Sequence, residues 1–130
     1  MVVRRNAIVE KSKSFALMII GLCRLLAEER REFVLSKQLL RSGTSVGANV
    51  REAQRGQSPK DFISKMQIAQ KEADESSYWL ELLHESEYLN NTEFQAAYDC
   101  AHELLKMLAS IIVTAKSHSG ANSTSTIHNS

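Results

Sequence analysis

The segment SPKDFISKMQIAQKEADESSYWLELL, residues 58–83, decides the fold. Ser58 is a good helix N-cap, Pro59 suits the first helical position, and Asp61 completes a capping-box pattern at the positive end of the helix. Behind that start, Phe62, Met66, Ala69, Ala73, Leu80 and Leu83 recur at steps of four, three, four, seven and three, with Ser76 at the missing step. This is a heptad seam, the pattern of a helix packed along its whole length against other helices. Carried to Tyr88, it predicts a helix roughly 45 Å long.

Upstream, residues 36–56 predict a second helix with Leu39, Val46, Val50 and Ala53 on its core line. Its middle, Ser42-Gly43-Thr44-Ser45-Val46-Gly47-Ala48-Asn49, consists mostly of poor helix formers, so tertiary packing must hold it helical. Gly43 and Gly47 lie one turn apart and allow another backbone to approach closely. Ser42 and Asn49 read as a buried polar pair bonded to the third helix, with Ser76 or Glu72 as partners. The alternative is a ligand-contacting cluster.

Further upstream, residues 6–32 predict a first helix. Phe15, Met18, Ile19, Leu22, Leu25 and Leu26 repeat at helical steps, and Ala16, Ile20, Cys23 and Ala27 form a flanking line. The apolar arc is wider than one core-facing stripe requires, so Ile20 and Cys23 are candidates for a subunit interface. Trp79 either closes the core edge or joins that interface, where Trp is enriched. Downstream, Asn90-Asn91 predicts a turn and Thr92 with Gln95 a second capping box. A fourth helix follows, with Phe94, Ala97, Tyr98, Ala101, Leu104, Leu108 and Ile111 at helical spacing. From Ser117 the chain is mostly Ser, Thr, Asn, Gly and His. That composition predicts a bundle domain over 1–116 and a disordered tail over 117–130. Short connections make neighbouring helices antiparallel, so the expected fold is an all-α, antiparallel up-down-up-down four-helix bundle.

Composition narrows the function classes. A net charge of +1 excludes a strongly basic nucleic-acid arm, so any polyanion binding must come from segregated charge. The second helix provides such segregation: Lys37, Arg41, Arg51 and Arg55 form one stripe against a single acid, Glu52. A stripe of this kind follows phosphates, and Arg suits bidentate contacts. The third helix is its opposite, with Lys60, Lys65 and Lys71 outnumbered by Asp61, Glu72, Asp74, Glu75, Glu81, Glu85 and Glu87. The stripe is therefore either paired with acidic neighbours or open to RNA or DNA.

Enzymatic and metal signatures are absent, and the chain reads as a non-enzyme with no cofactor and no indicated small-molecule substrate. Glu81-x-x-His84 and Asp99-x-x-His102 have di-iron spacing, yet Glu81 and His102 fall off the core seam. Residues 43–47 lack the terminal Gly-Lys-Ser/Thr of a P-loop. The apolar run 15–26 is interrupted by Gly21 and Arg24 and is too short for a membrane span. Two distant cysteines on apolar faces, without a secretory signal, predict a reducing, cytoplasmic setting.

Two stretches carry a family resemblance: residues 41–53, Arg41-Ser42-Gly43-Thr44-Ser45-Val46-Gly47-Ala48-Asn49-Val50-Arg51-Glu52-Ala53, and the pattern from Phe62-Ile63 through Ile68-Ala69 and Glu72-Ala73 to Tyr78-Trp79-Leu80. Together they resemble the bacterial four-helix-bundle family encoded within ribosomal RNA intervening sequences. The resemblance implies a ring-like homopentamer. A related branch serves as accessory subunit of diversity-generating retroelement reverse transcriptases, where a basic surface binds nucleic acid. Ala53 in place of Gly, and Lys71-Glu72 in place of Gly-Ser, mark a subgroup.

Overall fold

The computed structural model describes the backbone of residues 2–127 and the side chains of residues 7–119. Among these residues there are four helices and no strand: α1 (Val2–Arg30), α2 (Leu35–Gln54), α3 (Pro59–Glu85) and α4 (Asn91–Ile127). The connections span residues 31–34, 55–58 and 86–90, short enough to make each helix run antiparallel to the last. Helix α1 packs on α2, α2 on α3, α3 on α4, and α4 closes back on α1. The chain is an all-α, antiparallel up-down-up-down four-helix bundle.

Helix α3 begins as its sequence predicts. Ser58 has extended backbone, and its Oγ accepts the Asp61 N–H at 3.1 Å. Every seam residue from Phe62 to Leu83 is buried, and so is Ser76 at the polar step. The helix stops at Glu85, earlier than the pattern implies. Glu87 takes φ 69°, and the N–H groups of Tyr88 and Leu89 both turn back to the Leu83 carbonyl. Leu89 is thereby buried and closes one end of the core.

The cap of α4 lies two residues before the predicted one. Asn90 Oδ1 accepts the Glu93 N–H at 2.8 Å, and Glu93 Oε1 accepts the Asn90 N–H at 3.0 Å. Arg30, at the end of α1, fixes this turn from outside. It pairs with both oxygens of Glu93 at 2.7 and 2.9 Å and donates to the Tyr88 carbonyl at 2.7 Å. The guanidinium holds the Glu93 carboxyl below its ordinary pKa, against a smaller upward push from burial.

The core line of α1 is Ile8, Ser12, Phe15, Ile19, Cys23 and Leu26. Met18, expected on that line, is 37% exposed, and Leu22 and Leu25 are half-buried. Cys23, expected at a subunit interface, is instead part of the core, and its thiol donates to the Ser36 carbonyl at 3.2 Å. Burial and the nearby Glu32 push that thiol up to about 12. The middle of α1 is apolar around most of its circumference, so periodicity alone could not select the inward face.

Helix α4 carries core residues from Ala97 to Ile112, with Ala115 packed at the margin. Its backbone continues as helix to Ile127, past the expected boundary at residue 116. Side chains from residue 120 on, and residues 128–130 altogether, lie outside the described residues.

Candidate nucleic-acid interface

The poor helix formers of α2 are held by packing on both sides. A Cβ on Gly43 would stand 2.9 Å from Ile19 Cγ2, so α1 crosses closely there. At Gly47 a Cβ would meet the Ser12 backbone oxygen at 3.4 Å, an ordinary contact. On the side facing α3, Ser76 donates to Ser42 Oγ at 2.9 Å, and Ser42 donates to the Leu39 carbonyl at 3.3 Å. This is the expected buried polar link between α2 and α3. Asn49 takes no part in it. Its Nδ2 donates to the Ser45 carbonyl one turn back, at 2.8 Å. The expectation of an Asn49 bond to α3 is corrected accordingly.

With α2 fixed in this way, its stripe divides. Arg41 turns to α3, where it ion-pairs with Glu75 and, at 3.2 Å, with Glu72. Of the two outcomes left open for the stripe, Arg41 takes pairing with acidic neighbours, so it does not join the open phosphate contacts. Glu75 also accepts the indole N–H of half-buried Trp79 at 3.3 Å. Lys37, Arg51 and Arg55 are exposed, and among the described residues none of them makes an ion pair. Glu52, the one acid of the stripe, pairs with Lys65 at 2.9 Å.

Two cations that the sequence analysis passed over join this face. Lys13 of α1 lines a shallow groove of about 190 Å³ together with Thr44, Gly47, Ala48 and Arg51. Arg24 of α1 lines a second groove of about 320 Å³ with Ile20, Phe33, Lys37 and Leu40. Both are exposed and without an ion pair among the described residues. The signal for them was the exposed face of α1 at steps of three and four from Ile20, obscured because α1 is apolar nearly all round. Ile20 is 36% exposed.

The carboxylate–histidine pairs are otherwise engaged. Glu81 accepts from the Tyr98 phenol at 3.0 Å, which raises the pKa of that phenol. His84 stacks on Phe94 with ring centroids 4.1 Å apart, and its Nε2 donates to Asn91 Oδ1 at 2.7 Å. Asp99 accepts from Gln95 at 2.7 Å, and exposed His102 leans on Tyr98. Among the described residues no group of three or more His, Cys, Asp or Glu side chains could hold a metal ion. No helix among them is long and apolar enough to cross a membrane.

Comparison with known proteins places this bundle. The model of the 23S rRNA-intervening sequence protein family matches residues 4–110. The chain belongs to that family. A solved structure from Bacteroides thetaiotaomicron, described as a protein of unknown function from the S23 ribosomal protein family, is 49% identical with a TM-score of 0.83. The match covers 84% of this chain and 97% of that one. Neither description names an enzymatic activity. No curated protein matches the chain.

Proposed function

We propose that this intervening-sequence family protein is a non-enzymatic, homo-oligomeric module that associates with nucleic acid through the basic face of α2. Lys37, Arg51 and Arg55 would contact phosphates. The observation that carries the reading is that these three side chains are exposed and have no ion pair among the described residues, while the neighbouring Arg41 is held by Glu72 and Glu75. A cation held away from acids on a folded surface is available to neutralise a phosphate and release its counterion. No aromatic platform interleaves with the stripe, so the contacts would follow the backbone and not the base sequence. The family description links its members to 23S rRNA, and structured RNA is accordingly the first ligand to test. A ring-like pentamer, as the sequence resemblance implies, would repeat the stripe around an axis, with half-buried Trp79 available to the contact between copies.

Fluorescence anisotropy of labelled structured RNA and duplex DNA, titrated at several salt concentrations, tests the reading. Micromolar or tighter binding at low salt that weakens steeply as salt rises, and is lost when Lys37, Arg51 and Arg55 become Ala, is expected. A folded sample that binds neither probe at low salt would remove the nucleic-acid role. A protein-interaction scaffold is the second reading. It is favoured by the groove lined by Ile20, Phe33 and Leu40, whose side chains are substantially exposed.

A further inference from the structure

We infer that α1 completes the interface, so that Lys13 with Arg51 and Arg24 with Lys37 form two separate phosphate clamps along the α1–α2 seam. The inference rests on the nucleic-acid reading and extends it from one helix to two. Each groove on the seam receives one cation from each helix. Lys13 and Arg51 line one groove together with Val9, Ala16, Thr44, Gly47 and Ala48. Arg24 and Lys37 are the two cations lining the other groove, whose remaining wall includes Ile20, Phe33, Ser36 and Leu40. Small side chains in the first groove leave the two charged heads room to reach one anion between them, and none of the four is neutralised by an acid among the described residues.

The antiparallel packing sets the distance between the clamps. Eleven residues separate Lys13 from Arg24 on α1, and fourteen separate Lys37 from Arg51 on α2. At the helical rise these are about 16 Å and about 21 Å. The stretch between them carries Ala16, Ile20, Leu40 and Thr44, and its one cation, Arg41, is held by Glu72 and Glu75, so the seam offers two points of anionic contact and not a continuous track. Arg55 lies one turn beyond the Lys13–Arg51 end and would add a third, weaker contact.

Two points of contact make a prediction that a single basic stripe does not. Lys13→Ala and Arg24→Ala should each weaken binding to probes of unrelated sequence alike, although neither residue lies on α2. Within a clamp the effects should be less than additive, because the two cations share one phosphate; between clamps they should add. Removing both members of one clamp should lower the slope of log affinity against log salt by about 1. Salt-titrated anisotropy on the full chain, with circular dichroism to verify folding and Lys106→Ala of α4 as a charge control, reads all of these. Binding by the wild type that is unchanged in Lys13→Ala and Arg24→Ala, but lost in the α2 variants, would overturn the clamps and leave the α2 reading standing. Absence of wild-type binding would overturn both.

Discussion

Gly43 and Gly47 share a helix face and a motif, yet a methyl group would have different consequences at each. At Gly43 it would press on Ile19 Cγ2 at 2.9 Å and on Ile19 Cβ at 3.1 Å, a branched side chain fully buried in the core. Relief requires a shift of α1 against α2. Overpacking of this kind costs about 1–3 kcal/mol, more than the roughly 1 kcal/mol of helix propensity that Ala gains over Gly. Gly43→Ala should therefore lower the urea midpoint. Gly47→Ala meets only an ordinary contact and should leave the midpoint unchanged or raise it, both variants being compared at one protein concentration. The need for small residues here was legible in the sequence, whereas which glycine bears the contact depends on the crossing point of two helices. The same holds for charge. Lys37, Arg41, Arg51 and Arg55 look equivalent on one helix, and only the position of Glu72 and Glu75 across the seam separates Arg41 from the rest.

At the scale of elements, the heptad seam of α3 and its Ser58 cap were fully legible, because spacing and capping chemistry are local. Caps built from unusual residues were not. Glu32 is buried, and its carboxylate accepts the N–H groups of Val34, Leu35 and Ser36 at 3.2, 2.9 and 2.7 Å, closing the start of α2. Nothing in a lone Glu before Phe33 distinguishes it from a solvated surface acid. Burial alone would raise its pKa, but the three N–H donors outweigh burial and hold it below the ordinary value of 4.5. A carboxyl depressed in the folded state stabilises the fold above its unfolded pKa, and that stability is lost as pH falls through the folded value. Glu32→Ala should lower stability by about 1–3 kcal/mol at pH 7, since it leaves three donors at the helix start without their acceptor. The gap between variant and wild type should narrow as the pH drops below 4.5, which thermal melts across a pH series will measure. A gap that stays constant with pH would show that the carboxylate charge is not what closes the turn.

At the scale of the whole molecule, four antiparallel helices put opposite charges on neighbouring elements. The acids of α3 neutralise Arg41 at the α2–α3 seam, while Lys13, Arg24, Lys37 and Arg51 at the α1–α2 seam have no ion pair among the described residues. A net charge of +1 conceals this separation, which is why composition alone gave little guide to a partner. Lysine acetylation footprinting of the full chain, with and without saturating duplex RNA and read by mass spectrometry, tests the central claim most directly. The account predicts that Lys13 and Lys37 become protected while Lys60, Lys71 and Lys106 react as before. Protection confined to α3 and α4, or no protection under conditions where the RNA is bound, would contradict a nucleic-acid surface on the α1–α2 seam.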